Sequence, residues 1–138
     1  MLDENKELEL RRINVQVVSH IIDRIPAGWF RAVECGPGWT DIVLNCHNEL
    51  NAIDPEYTPY QIKQKYGWLR YYYGTIVAGD EAKKMLDIVN KYERMSSTIC
   101  EITGDPGSLM KKDGYFRTLS DAFLERGWER VESEGANS

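Results

Sequence analysis

The chain has little cysteine and no long apolar run, and these two absences narrow the kinds of protein it can be. Three cysteines among 138 residues are an odd number, which is typical of free thiols in a reducing compartment and not of a disulfide framework. No apolar run reaches the roughly 18 residues of a membrane-spanning helix. The segment from Met1 to Lys6 does not resemble a signal peptide. We therefore expect a cytoplasmic protein that makes no contact with membranes.

Motifs of the common enzyme classes are absent as well. The sequence contains no Gly-x-Gly-x-x-Gly loop, Walker lysine loop, Gly-x-Ser-x-Gly elbow or His-Glu-x-x-His pair. Cys46 and His47 are neighbours, but adjacent residues of a helix point about 100° apart and do not face each other. Cys35 is better explained as a buried thiol, and the isolated His20 as a packed or solvated residue. We therefore identify no catalytic residue, expect no cofactor and favour a non-enzymatic role.

The charge balance is mildly acidic, and the size suits one small domain. The 22 acidic and 17 basic residues give a net charge of −5 and a pI near 5.1, so the whole molecule does not attract nucleic acid, although a local basic face can. A chain of 138 residues with 42% hydrophobic content can bury one core. The polar residues 129–138 predict a disordered tail, which leaves residues 1–128 as a single domain.

Hydrophobic periodicity predicts a long amphipathic first helix, from about Asp3 to Arg24. Pro26 ends it. Its apolar stripe consists of Leu10, Ile13, Val17, Ile21 and Ile25. A helix of this kind either caps a core or pairs with its symmetry mate. We favour pairing, and therefore a homodimer formed through this helix.

The rest of the chain alternates between helical and strand-like patterns, which predicts an α+β fold. Two further helices are expected, from Trp39 to Ile53 and from Gly79 to Met95, and together with the first they pack around a central β-ribbon. The shorter elements predicted are a strand over Trp29–Cys35, a strand over Thr98–Thr103, a hairpin around Lys112-Asp113-Gly114 and a short helix from Ser120 to Arg126.

The ribbon itself, Tyr60 to Gly74, is the most distinctive segment, with six aromatic and three basic residues in fifteen positions. It predicts two strands around a tight turn at Tyr66-Gly67. Alternation places one set of polar and aromatic side chains on the face away from the core. This candidate binding face consists of Lys63, Lys65, Trp68, Arg70 and Tyr72. Such a face suits stacking on a nucleotide or contact with a partner protein, but a hairpin of this composition can equally be core.

The C-terminal part has the layout of a zinc ribbon that has lost its ligands. Two four-residue corners, Cys100–Thr103 and Ser120–Phe123, stand where two cysteine pairs are expected. Coincidental spacing is the alternative interpretation. Only Cys100 can supply a thiolate. We therefore predict a degenerate zinc-ribbon-like hairpin that binds no metal.

Three segments together resemble a family of small uncharacterised bacteriophage and prophage proteins. They are the segment from Val33 to Trp39 with its Cys35-Gly36-Pro37-Gly38-Trp39 corner, the ribbon from Gln61 to Tyr72, and the knuckle segment from Thr98 to Gly107. In that family the knuckle carries a second cysteine and is followed by a cysteine or histidine pair, so Thr103, Ser120 and Phe123 depart from its pattern. The resemblance covers roughly residues 28–123 and implies an accessory protein of the host-cell cytoplasm, without an activity to transfer.

Three classes of function stay open from the sequence. The first is non-catalytic binding to a host or phage protein, for example inhibition of a host defence or regulatory protein. The second is binding of a nucleotide or nucleic acid by the ribbon face, and the third is an enzyme of unknown type. Salt dependence separates the first two, because phosphate contacts weaken steeply with salt and apolar contacts do not.

Overall fold

The computed structural model describes residues 4–132 and confirms the predicted α+β class. Its helices are α1 (Glu4–Leu10), α2 (Ser19–Ile22), α3 (Thr40–Ile53) and α4 (Gly79–Ser96). Its strands are β1 (Val33–Glu34), β2 (Thr58–Lys65), β3 (Trp68–Gly74), β4 (Ser108–Lys112), β5 (Tyr115–Leu119) and β6 (Glu129–Arg130). Short 3-10 helices span Pro37–Trp39 and Asp121–Arg126. No helix within residues 4–132 combines the length and apolar character that a bilayer span requires.

The aromatic ribbon forms the predicted hairpin. β2 and β3 pair antiparallel, with Ile62 opposite Tyr71. Tyr66 and Gly67 make the turn with φ angles of 53° and 85°, because a two-residue hairpin turn that follows the twist of the strands needs positive φ at both positions. Glycine adopts such an angle at little cost. The turn position predicted from the sequence is therefore confirmed.

β1 extends the hairpin to a three-stranded sheet in the order β1-β2-β3. It runs parallel to β2, with Val33 opposite Ile62. The strand predicted over Trp29–Cys35 is wrong for most of its length, since only β1 pairs. The residues before it form turns, one of them closed by the hydrogen bond from Ala32 N to Phe30 O at 3.0 Å, and turn geometry removes this backbone from sheet pairing.

The two long helices were predicted correctly within one residue at each end, and with the hairpin they form the main core. The largest fully buried side chains of this core are Trp39, Tyr57, Leu50, Ile62, Leu69 and Met85. α4 also covers the outer edge of β3. Ser96 Oγ accepts from Leu69 N at 2.9 Å, and Glu93 Oε2 accepts from Tyr71 N at 2.9 Å. These acceptors occupy edge groups that would otherwise be open to pairing with another chain.

The prediction of one long first helix over Asp3–Arg24 is wrong, because the helical path is interrupted between α1 and α2. Ile13 N donates to Cys35 O at 3.1 Å, and Gln16 N donates to the side-chain oxygen of Asn14 at 2.9 Å. Both bonds replace helical ones. Ile13, Val15, Val17 and Val18 are β-branched, which lowers the helical preference of this stretch.

The C-terminal part forms a second sheet in the order β5-β4-β6. Asp113 and Gly114 make the turn between β4 and β5 with φ angles of 49° and 83°, so the predicted hairpin is confirmed. The short helix predicted after Ser120 is present as a 3-10 turn. A second core lies against this sheet and consists of Leu8, Cys100, Ile102, Met110, Leu119, Phe123 and Trp128. Leu8 belongs to α1, so α1 packs on this second core and not on the main one.

Two predictions for the C-terminal part are wrong. Thr98–Thr103 is no strand, because Cys100 N donates to Asp105 O at 2.7 Å and Gly104 N to Cys100 O at 3.0 Å, which close the segment into turns. The predicted disordered tail begins too early, because β6 pairs with β4 through Met110 and Arg130. β6 is held by backbone hydrogen bonds to β4, although its side chains are polar and exposed. Residues 133–138 of the predicted tail lie outside the described residues.

The Gly36-Pro37-Gly38 corner joins the two halves of the molecule. Gly38 N donates to Glu101 O at 2.7 Å, and Trp39 Nε1 donates to Ile99 O at 2.8 Å. A Cβ atom at Gly38 would lie 2.2 Å from Cys100 O. The backbones thus approach as closely as only glycine permits, which brings two of the motifs singled out in the sequence into direct contact.

Candidate functional site

The five residues of the ribbon face lie together, as alternation predicts. Lys63 is directly opposite Arg70, and Lys65 is opposite Trp68. Directly opposed residues of an antiparallel pair share one face. Tyr72 is 44% exposed and Lys65 is exposed, whereas Lys63, Trp68 and Arg70 are half-buried. The ribbon face is therefore a partly covered surface, opposite the core face that carries Ile62, Leu69 and Tyr71.

Lys63 also lines a polar cleft of about 350 Å³ between the N-terminal segment, the first sheet and β5. Its basic lining residues are Arg11, Arg12, Lys63 and Arg117, and its acidic ones are Glu9, Glu34 and Glu101. We call this site the polar cleft. Lys63 is the one residue of the ribbon face that lines the polar cleft. The structure therefore places Lys63 in the cleft wall and the other four ribbon-face residues on the outer surface.

Arg117 lies at the base of the polar cleft with 2% of its side chain exposed. Its Nη1 donates to Glu101 Oε1 at 3.2 Å, and its Nη2 lies 3.9 Å from Glu9 Oε1. Its Nε is buried without a hydrogen-bond partner among the residues described. Burial raises the pKa of the Glu101 carboxyl, while Arg117 and the Gly36 N–H oppose that rise. The floor of the polar cleft is therefore a buried ion pair between Arg117 and Glu101, in which Arg117 keeps hydrogen-bond donors without partners among the described residues.

An apolar groove of about 310 Å³ lies on the other side of Arg12. It is lined by Leu10, Ile13, Val15, Val18, Phe30 and Val33, among other apolar residues, with Arg12 and Arg31 as its charged lining. Three of these side chains are mostly exposed, namely Leu10 at 65%, Val15 at 64% and Phe30 at 65%. The segment between α1 and α2 contributes Ile13, Val15 and Val18 to the lining of this groove.

A chain of aromatic side chains runs inward from His20. The rings of His20 and His47 lie 5.1 Å apart, His47 Nδ1 shares a hydrogen bond of 2.5 Å with Tyr57 OH, and Tyr57 OH shares one of 2.7 Å with Tyr71 OH. Burial, together with Arg24 and His20, lowers the pKa of His47 from 6.5 to about 4. His47 is therefore a neutral, packed residue near pH 7, and the exposed His20 ring meets it edge to face at an interplanar angle of 74°.

The three cysteines are buried, and burial does not suit a nucleophile. Cys35, Cys46 and Cys100 are all enclosed. Burial raises the pKa of the Cys35 and Cys46 thiols well above the ordinary value, which keeps them protonated and unreactive. Between Glu4 and Glu132, no three His, Cys, Asp or Glu side chains gather in a way that could hold a metal ion.

Two carboxylates, Glu49 and Asp54, lie at the C-terminal end of α3. Glu49 binds Lys91 at 2.9 Å and accepts a hydrogen bond from Tyr92. Asp54 accepts from Thr75 Oγ1 at 2.6 Å. Each carboxylate therefore has its own structural partners, and the geometry pairs none of them as acid and base.

The sequence interpretation missed both the apolar groove and most of the polar cleft. Arg117 carried a signal, because alternation along β5 places it on the same side as Leu119, where an apolar residue is expected. Glu101 carried none, since its burial depends on contact with the distant Gly36 corner.

Comparison of the chain with protein-family models, with curated proteins and with solved structures finds no match. The resemblance to the phage and prophage family therefore stays a prediction. The function has to be inferred from the shape and chemistry of the chain's own surfaces, among them the polar cleft and the apolar groove.

Proposed function

We propose that the protein is a non-catalytic binding module that holds a short acidic, amphipathic segment of a partner protein in the apolar groove. The observation that carries this proposal is the exposure of Leu10, Val15 and Phe30 around one depression. A contiguous exposed apolar patch rimmed by charge is typical of a protein–protein contact surface. In a phage or prophage setting the partner is a host protein, such as a defence or regulatory protein.

The charges at the groove favour an acidic partner over a second copy of this chain. Arg12 and Arg31 both line the groove. A two-fold pairing places the same patch on both subunits, so an interface through this groove would bring four arginine side chains together. An acidic segment meets them with opposite charge, which favours correct encounter and orientation. The homodimer predicted from the sequence also loses the continuous helix on which it was based.

The proposal is tested with two synthetic peptides that share leucines at helical spacing and differ in the remaining positions, glutamate in one and lysine in the other. Fluorescence anisotropy should show the glutamate peptide binding at least about tenfold more tightly, a difference of roughly 1.4 kcal/mol. Phe30→Asp should abolish that binding. Ile76→Asp is the matched control, because Ile76 is 90% exposed and lies outside the groove.

Equal binding of the two peptides, or binding that survives Phe30→Asp, would contradict the proposal. Analytical ultracentrifugation of the same variants tests the other occupant. A dimer of the full chain that Phe30→Asp converts to a monomer would identify a second copy in the groove.

Nucleotide or nucleic-acid binding by the ribbon face is the second candidate, supported by the opposed pairs Lys63–Arg70 and Lys65–Trp68. A single-stranded oligonucleotide should then bind with an affinity that falls steeply with salt. Arg70→Ala should weaken it while changing the free energy of unfolding by less than about 1 kcal/mol. Binding that does not depend on salt or on Arg70 would remove this candidate.

A further inference from the structure

We propose that the polar cleft is a binding site for a phosphate monoester on a small polar body, such as a sugar phosphate, with Arg117 as its anchor. This site shares only Arg12 with the apolar groove, and the proposal does not depend on a partner protein binding in that groove. Three features of the cleft carry it, namely the unsatisfied donors of Arg117, the excess of positive charge and the position of Glu9.

The guanidinium of Arg117 has far more hydrogen-bond donors than partners. Arginine carries five N–H donors, and Arg117 uses one at Glu101, while its Nε is buried without a partner in the described part of the chain. Leaving buried donors unpaired is costly, more so for a charged group. A phosphate group brings several acceptor oxygens and matches the planar fork of arginine.

The charge of the cleft suits an anion, although the whole chain is acidic. Four basic side chains line it against three carboxylates. Two of these carboxylates already have partners, because Glu34 lies 4.0 Å from Arg12 and Glu101 accepts from Arg117 and from Gly36 N. Arg11 and Lys63 are therefore available to an incoming anion at the mouth and wall of the cleft.

Glu9 occupies the place of the ligand. Its Oε1 lies 3.9 Å from Nη2 of Arg117, while its side chain remains 46% exposed. An exposed carboxylate held at this distance from a buried guanidinium is a weak, displaceable partner. A phosphate group, with greater charge and more acceptors, competes for the same donors. We therefore expect Glu9 to oppose binding by repelling the ligand.

The size and lining of the cleft define the rest of the ligand. A volume of about 350 Å³ lies at the small end of ligand pockets. No aromatic residue lines the cleft, so a nucleobase has no ring on which to stack. The polar walls instead suit hydroxyl groups. A sugar phosphate should therefore bind at least as well as a nucleoside monophosphate.

Isothermal titration calorimetry of the full chain with ribose 5-phosphate, adenosine 5′-monophosphate and inorganic phosphate tests the proposal. Ribose 5-phosphate is expected to bind about tenfold more tightly than inorganic phosphate, because the sugar hydroxyls add contacts with the polar walls. Equal affinities for ribose 5-phosphate and inorganic phosphate would overturn the proposal that the ligand is a phosphate ester, and would identify free phosphate as the ligand. Tighter binding of adenosine 5′-monophosphate than of ribose 5-phosphate would overturn the proposal that the phosphate is carried by a small polar group such as a sugar.

Variants at the edge of the cleft keep the test valid even if replacement of Arg117 prevents folding. Glu9→Gln should strengthen ribose 5-phosphate binding roughly fivefold, the size expected for removing one like charge about 4 Å away in water. Lys63→Met should weaken it by a similar factor. Glu7→Gln and Lys65→Met are the matched controls, since neither residue lines the cleft. Absence of binding at millimolar concentration, or identical affinities in all four variants, would overturn the proposal.

Discussion

His47 gives the chain a pH dependence whose sign and size follow from its surroundings. The side chain is 4% exposed, and burial, then Arg24 and His20, lower its pKa from 6.5 to about 4. Between pH 6.5 and pH 4 the side chain of His47 is protonated in the unfolded chain and stays neutral in the folded chain. The free energy of unfolding should therefore fall as the pH drops from about 6.5 to 4, with no further loss from His47 below that.

The magnitude follows from the same two values. One pKa unit corresponds to 1.36 kcal/mol, so the full contribution of His47 is roughly 3 kcal/mol, and about 2 kcal/mol of it is lost by pH 5. Urea denaturation at pH 7.5 and pH 5 measures this loss in the unmodified protein, in His47→Gln and in His20→Gln. Carboxyl groups titrate alike in all three proteins, so the difference between them isolates the histidine.

His20→Gln should lose less stability on acidification than the unmodified protein but more than His47→Gln, because His20 is the smallest of the three causes that lower the pKa of His47. His47→Gln should lose about 2 kcal/mol less than the unmodified protein. Equal losses in the unmodified protein and in His47→Gln would mean that His47 is protonated as readily in the folded chain as in the unfolded one, which contradicts a lowered pKa.

Three further predictions concern packing. Gly38→Ala should lower the free energy of unfolding by more than about 3 kcal/mol, because its Cβ would lie 2.2 Å from Cys100 O; thermal denaturation close to that of the unmodified protein would show that the corner can open. Leu8→Ala should cost about 2–4 kcal/mol in urea denaturation, since Leu8 is buried in the second core, whereas Leu10→Ala, at an exposed position, should cost less than about 0.5 kcal/mol; equal effects would contradict the packing of α1. A thiol reagent should modify the three buried cysteines only after denaturant is added, and rapid modification under native conditions would contradict their enclosure.

Local patterns in the sequence predicted the parts of the fold that depend on near neighbours. Alternation and the Tyr66-Gly67 turn specified the hairpin, and periodicity with flanking proline and glycine specified α3 and α4. The same logic located the hairpin turn at Asp113-Gly114. In these segments the local preference and the tertiary packing agree.

The missed features depend on contacts between distant parts of the chain. The N-terminal segment has a helical period, but the bond from Ile13 N to Cys35 O breaks it, and no periodicity reveals that bond. β6 forms in a polar segment because β4 offers it a backbone edge. The polar cleft arises where the N-terminal segment, β2 and β5 meet, so Lys63 alone of its lining residues was among the predicted site residues.

The central proposal is that a partner segment binds in the apolar groove, and the most direct test is a map of the bound surface. Backbone NMR shifts of the full chain should be recorded as the leucine–glutamate peptide is added. The largest shifts should fall at Val15, Phe30 and Val33, which line the groove. Shifts centred on Lys65 and Tyr72 would assign binding to the ribbon face instead and contradict the proposed function.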